Sequence, residues 1–255
     1  MGCSVAAIIS AAGSSRRMGG LKKEYCPLGP EFTDDAQKPL TVLGAAVLAF
    51  VSSKRIQTVV ISVPPDAETG EFAARASLPQ ELLQSHARPR LFFVPGGRTR
   101  RMSVHHALSL LSTFPGEEPD FVLIHDGARP WVDTRLIEQT IDAVIQYNAV
   151  VPLLPVIETP KEIDAAGFVC RHLPRARVGT AQTPQGFAYP AILRAHEQAA
   201  EQELATHKEY TDDAEVWGEF IGPVAVIPGS PENRKITFPE DLGLEPQGEG
   251  LWTKE

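Results

Sequence analysis

The stretch Ala11 to Tyr25, AAGSSRRMGGLKKEY, gathers Arg16, Arg17, Lys22 and Lys23 among three glycines and two serines, with no acid before Glu24. Ala11, Ala12 and Gly13, followed by Ser14, lack bulk, so the backbone there can approach a ligand closely. Consecutive free N–H groups in such a turn form an anion-binding concavity, and the four cations add mobile positive charge. The combination suits a polyphosphate. Two familiar phosphate motifs are absent: Gly13 is not followed after four residues by Gly-Lys-Ser/Thr, and Ser15 stands where a dinucleotide fingerprint needs glycine. The competing reading is a flexible surface loop with solvated charges.

A second segment repeats the design. VPGGRTRRMS (94–103) carries Gly96 and Gly97, then Arg98, Arg100 and Arg101, with Ser103 expected to open a helix. In HDGARP (125–130), Asp126 comes where the chain leaves an apolar run, with Gly127 behind it. A carboxylate so placed is a natural Mg²⁺ ligand, because magnesium commonly joins one or two carboxylates to substrate phosphates. The alternative is that Asp126 caps the next turn and pairs with Arg129. His125 reads as a structural histidine. TDDAE (211–215) reads as a helix N-terminus, where the dipole favours carboxylates, with a second metal site as the other reading. Cys3, Cys26 and Cys170 lack metal-ligand spacing and are assigned to packing. No Ser/His/Asp or Cys/His arrangement is apparent from position.

The elements that must hold these loops are legible as alternating types. Apolar runs at 5–10, 58–63, 90–95, 121–126 and 149–156 are continuous rather than alternating, as in strands covered on both faces. Helical spacing lies between them, from Leu40 to Val51, Ser103 to Leu111 and Thr134 to Tyr147, the last with Asp133 as N-cap. Strands alternating with helices imply a mostly parallel α/β sheet flanked by helices, with loops at the strand carboxyl ends as the favoured ligand site. Beyond residue 156 the chain turns polar. A hairpin arm is expected at about 157–187, with a strand in GFVCRHL, as an oligomer contact or a lid. A helix from about Pro190 to Leu204 and a last strand in VAVIPGS follow, all within a single domain spanning 1–242, and a flexible tail at 243–255.

At 255 residues and a formal charge of −8, the chain carries no global field for nucleic acid or anionic membrane, so an anion must be held by a local basic cluster. Three cysteines are too few for a disulfide framework, and no stretch is long and apolar enough to span a membrane. A cytoplasmic protein is expected.

Taken in order, AAGSSRRMG with KEY, GGRTRRMS, HDGARP, TPQGF, TDDA and ENRKITFPEDL resemble the 2-C-methyl-D-erythritol 4-phosphate cytidylyltransferases of isoprenoid biosynthesis, over about residues 4–242. The resemblance implies a Rossmann-like sheet of the nucleotide-diphospho-sugar transferase type with a protruding β-arm. It implies CTP as substrate, Mg²⁺ as cofactor, a phosphorylated polyol as acceptor and pyrophosphate as product. It places the catalytic cations on Arg17 and Lys23, with Lys22 as the neighbour competing for the role. It puts Ala11, Ala12, Gly13, Ser14, Gly96, Gly97, Arg100, Ser103, Asp126 and Gly127 around the nucleotide, Asp126 also on the metal, and Arg129, Thr159, Arg175, Thr183 and Lys235 around the acceptor. It further implies a homodimer whose arm reaches into the partner's site.

Four departures from the family pattern stand out. They are Ser15 where glycine is common, about eight extra residues at 30–37, RVGT (177–180) in place of a Leu-Trp pair, and Arg98 where an acid often follows the paired glycines. The rival readings are a ribitol 5-phosphate cytidylyltransferase and a catalytically inactive nucleotide-binding protein of the same fold.

Overall fold

The first strand, Val5–Ser10 (β1), shows why its sequence is apolar throughout. Val5, Ala7 and Ile9 pack into one buried cluster and Ala6 and Ile8 into another, so both faces of the strand leave water. Each large aliphatic side chain buried this way contributes on the order of 1.5–3 kcal/mol. The computed structural model describes residues 3–34, 37–66, 70–84, 89–114, 116 and 118–244.

Parallel neighbours of β1 are Ile56–Val63 (β2) and Phe121–Asp126 (β4), and Arg90–Pro95 (β3) pairs parallel to β2 at the edge. On the other side come Ala149–Pro155 (β5), Gly179–Ala181 (β8), Gln185–Ala188 (β9) and Ala225–Pro228 (β10). The sheet runs β10-β5-β9-β4-β1-β2-β3, with β8 pairing β5 beside this path. Its pairs are parallel except those made by β8 and β9, so the sheet is mostly parallel as expected.

Helices Val42–Val51 (α1), Glu71–Ala76 (α2) and Thr134–Tyr147 (α5) pack on one face. Arg100–Leu111 (α4), Ala191–Thr206 (α6) and Asp213–Phe220 (α7) pack on the other. Gln80–Gln84 (α3) is a short connector before β3. The caps follow the side chains: Thr41, Thr99, Asp133 and Asp212 each accept a hydrogen bond from a backbone N–H of the first turn.

Several expectations need correction. Ser103 does not open α4. Thr99 does, four residues earlier, and the Ser103 hydroxyl instead donates to the Thr99 carbonyl at 2.9 Å inside the helix. The arm ends before residue 179, because Gly179–Ala181 and Gln185–Ala188 join the main sheet. Four-residue β9 gives no run long enough to recognise. Its Gly186 sits in tight quarters, since a Cβ there would lie 3.0 Å from Val144 Cβ and Val150 Cγ1. What projects is the hairpin Lys161–Ile163 (β6) and Val169–His172 (β7), a separate two-stranded sheet exposed on both faces. The cysteines are not packing residues: Cys3 and Cys170 are exposed and Cys26 is half-buried, none in a disulfide. The expected tail beyond Leu244, and residues 35 and 36 of the extra loop, lie outside the described residues.

Candidate active site

Three strand ends meet at the carboxyl edge of the sheet, and each hands its first loop N–H to a neighbouring strand. Ala11 N–H donates to the Ser62 carbonyl at 2.9 Å, Gly127 N–H to Ser10 at 2.9 Å and Gly96 N–H to Val63 at 2.7 Å. These three residues therefore do not offer free N–H groups to a ligand, contrary to expectation for Ala11, and they do not line the cavity in front of them. Their smallness serves close approach instead. A Cβ on Gly96 would stand 2.3 Å from Ala12 Cβ, so the first and third loops touch only because that position is glycine. Gly97 follows at the wall, with its N–H held by Ser103 Oγ at 3.0 Å.

The cavity beyond measures about 840 Å³ and is open on one side. Ala12, Gly13, Ser14, Arg17, Lys23, Gly97, Arg100, Ser103, Asp126 and Lys235 all line it, joined by Arg16, Arg98, Thr99, Glu209, Tyr210 and Thr237 among others. Its cations are Arg16, Arg17, Lys23, Arg98, Arg100 and Lys235, set against the carboxylates of Glu24, Asp126 and Glu209. In a chain of net charge −8, this is a local positive excess in a concave, partly desolvated site, the arrangement that concentrates anions.

The two adjacent lysines have separate jobs. Lys22 Nζ donates to the carbonyls of Ala11 (2.6 Å) and Gly13 (2.7 Å) and pairs with Glu24 Oε2 at 2.7 Å. Its donors are consumed in fastening the loop. Lys23 lies on the cavity, with Nζ donating to the Ile236 carbonyl at 2.7 Å. Burial lowers the pKa of Lys23; Glu24 works against this, while Lys235 and Arg17 add to it. An entering anion would relieve that penalty. The left-handed backbone at Ser15 (φ 51°) explains why glycine would suit the position. Here the Ser15 hydroxyl donates to Glu24 Oε2 at 3.3 Å and accepts from the Lys23 N–H at 3.4 Å.

Asp126 sits at the end of β4 with Lys235 at 3.1 Å, Arg129 at 3.3 Å and Arg100 at 3.4 Å. Burial alone would push its carboxyl upward, but Lys235, Arg100 and Arg129 outweigh it and hold the group well below the usual carboxylate range. Its N–H donates to Thr183 Oγ1 at 3.0 Å, which leaves the Thr183 hydroxyl to donate to His125 Nδ1 at 3.0 Å. His125 Nε2 then faces the Arg129 carbonyl at 3.1 Å and must carry the proton. Both ring nitrogens are partnered, and burial pushes the pKa down to about 4, so this histidine is neutral and structural. Thr183 thus lies beneath Asp126 of its own chain and not on the arm. Arg129 is behind the cavity too, donating to the Asn233 carbonyl at 2.9 Å. Thr159 and Arg175 are exposed on the arm and do not line this chain's cavity.

A late segment closes the site. Lys235 reaches Asp126, Ile236 N–H donates to the Ala128 carbonyl at 2.9 Å, the Ile236 carbonyl receives Lys23, and the Phe238 ring lies 5.7 Å from the Arg17 guanidinium. Tyr210, Glu209 and Thr237 were not singled out in the sequence. For Thr237 a signal existed: Asp241, four residues on, accepts its N–H at 2.7 Å and that of Phe238 at 3.0 Å.

A family model described as 2-C-methyl-D-erythritol 4-phosphate cytidylyltransferase matches residues 5–246. The curated protein of that name from Pelotomaculum thermopropionicum is 36% identical, with 93% of this chain and 91% of that one covered. A bifunctional IspD/IspF enzyme from Bartonella henselae is also 36% identical over 94% of this chain, but the chain spans only 55% of that protein's length. Several curated relatives share this bifunctional form, so the chain spans about half the length of many of the proteins it matches. Among solved structures, the 4-diphosphocytidyl-2C-methyl-D-erythritol synthase from Anaerococcus prevotii is similar with a TM-score of 0.71 and 26% identity, covering 94% of this chain and 93% of that one.

Proposed function

The chain belongs to the 2-C-methyl-D-erythritol 4-phosphate cytidylyltransferase family, and we propose that it transfers a cytidylyl group from CTP to 2-C-methyl-D-erythritol 4-phosphate, releasing pyrophosphate, in non-mevalonate isoprenoid biosynthesis. The observation that carries this reading is that Arg17 and Lys23 line one cavity together with Asp126 and Lys235. An oxygen of the acceptor phosphate attacks the α-phosphorus of CTP in line. A new P–O bond forms as the bond from that phosphorus to the bridging oxygen of pyrophosphate breaks. The attacking oxygen is already ionised, so no general base is needed. The obstacle is repulsion between two anions, and the contribution of the chain is positioning and charge neutralisation. Arg17 and Lys23 stabilise the charge that develops about the α-phosphorus.

Among the described residues no group of three metal-ligating side chains occurs. Asp126, one of the carboxylates lining the cavity, nonetheless fits magnesium, which takes most of its ligands from phosphates and water. Asp126 would hold the ion, and the ion would neutralise phosphate charge. Ala12, Gly13, Ser14, Gly97, Arg100 and Ser103 surround the nucleotide in this reading. Lys235, with Arg129 and Thr183 behind it, faces the acceptor. Thr159 and Arg175 act across a homodimer formed through the arm, whose Ile157 and Phe168 side chains are 82% and 71% exposed. Among the described residues no helix is long and apolar enough to cross a membrane, and the unpaired cysteines support a cytoplasmic setting.

The test is pyrophosphate release with CTP and Mg²⁺, offering methylerythritol phosphate and ribitol phosphate in parallel, with Arg17→Ala and Lys23→Ala beside the wild type. Turnover with the first acceptor, reduced on the order of 10²-fold or more in either variant, is expected. Preference for ribitol phosphate would reassign the acceptor. Absence of turnover with both in a CTP-binding protein would refute the enzymatic reading.

A further inference from the structure

Asp213 takes no part in the reaction above, yet it is fully buried and ionic. It stands at the start of α7, which is pinned to β9: Gln185 Nε2 donates to Asp212 Oδ2 at 2.8 Å, and Gln185 Oε1 accepts the Ala214 N–H at 3.0 Å. From that fixed base Asp213 Oδ2 meets Arg100 Nη2 at 2.7 Å, and Oδ1 meets His196 Nε2 at 3.2 Å. Arg100 is therefore shared between two carboxylates, one behind the cavity wall and one on the cavity. The contact to Asp126, through Nε at 3.4 Å, is the longer. Nη1 belongs to neither contact. The neighbouring Arg101 turns the other way, onto Glu203 at 2.7 Å and the His196 carbonyl at 3.1 Å, and so stays in the helix layer.

A guanidinium offered a single nearby carboxylate closes on it as a bidentate pair and spends its charge there. We propose that Asp213 is a positioning residue: it clamps Arg100 from behind the wall, so that the guanidinium keeps its remaining edge toward the CTP phosphates instead of folding onto Asp126. The inference rests on the nucleotide reading of the cavity.

The experiment is calorimetric titration of CTP with Mg²⁺ into the wild type, Asp213→Asn, Arg100→Met and the double variant, with thermal unfolding of each and the KM of the acceptor. Asp213→Asn is expected to weaken CTP on the order of 10-fold, the loss of one charge-assisted orienting contact, and to leave the acceptor KM unchanged. In the Arg100→Met background the same substitution should have no further effect, a coupling that a purely structural role would not produce. Should Asp213→Asn not fold, Asp213→Glu is carried through the same cycle. Its carboxylate is displaced by one methylene and should weaken CTP only when Arg100 is present. Unchanged CTP affinity in a folded variant, or equal losses in both backgrounds, would overturn the assignment of Asp213. A wild type that binds no CTP would overturn the nucleotide reading itself, and this inference with it.

Discussion

Replacing Lys22 and Lys23 separately by methionine should divide stability from catalysis between two adjacent residues. Lys22 gives its ammonium to two carbonyls and to Glu24, whose side chain is 5% exposed and, among the described residues, keeps only the Ser15 hydroxyl at 3.3 Å once the lysine is gone. Breaking a buried ion pair by removing one partner costs roughly 3–5 kcal/mol, and the nearby cavity lets water relieve part of that, so about 3 kcal/mol is expected. For a chain of this size each kcal/mol moves Tm by about 2–4 °C, which puts Lys22→Met roughly 6–12 °C below the wild type. Lys23 loses one hydrogen bond, to the Ile236 carbonyl, worth about 1 kcal/mol and a few degrees. Its removal should instead lower kcat on the order of 10²-fold or more, as expected for a cation facing developing charge. Thermal unfolding followed by near-UV circular dichroism, with pyrophosphate release measured well below both transitions, reads the two effects independently. A Lys23→Met protein less stable than Lys22→Met, or a folded Lys22→Met more catalytically impaired than Lys23→Met, would refute this division of roles.

Other outcomes follow from the same geometry. Gly96→Ala should force the Ala12 loop and the Ser103 hydroxyl away, destabilising by about 1–3 kcal/mol and weakening CTP, as urea unfolding and titration calorimetry would read; a variant as stable as the wild type would contradict the close approach. Burial pushes His105 down to about 4, with His196, Arg101 and His106 adding repulsion. Between about pH 6.5 and 4 the unfolded chain then binds a proton that the folded chain refuses, so stability falls on acidification, and His105→Gln should flatten that slope in urea titrations across the window. Ile157→Ser combined with Phe168→Ser should halve the mass seen by sedimentation equilibrium if the arm mediates dimerisation, while leaving the transition midpoint of the monomer fold little changed.

How much was legible depended on whether the signal was local. Continuous apolar runs located the five long strands; at β1, burial on both faces leaves Ser10 as its one polar residue. The Asp133 cap was legible for the same reason: a capping side chain acts within three residues. Strand β9 was not, because a four-residue antiparallel strand containing Gly186 takes its identity from Leu123, Val144 and Val150, far away in sequence. Of the loop residues, those expected to lend free N–H groups were misread at Ala11, since its hydrogen bond goes to a strand whose register no local pattern encodes. The resemblance put Lys23 in the site, but the fastening duty of Lys22 was not legible, because side-chain direction in a short 3₁₀ turn decides which ammonium reaches the loop carbonyls and which reaches the cavity.

The segment from Lys235 to Phe238 also sets a clock. The Lys23 ammonium and the carbonyl that receives it are separated by 213 residues of chain. At about 5–20 residues per second of synthesis, that is roughly 10–40 s between the appearance of the basic loop and of its last support. Strands β1 to β4 can pair during this interval, but Asp126, Arg17 and Lys23 then lack the Lys235 amine, the Phe238 ring and the Ile236 carbonyl that hold them in the finished protein. Competence for anions is thus acquired only once this segment has been made, and a chain broken off before it would carry the charges of the site without their arrangement.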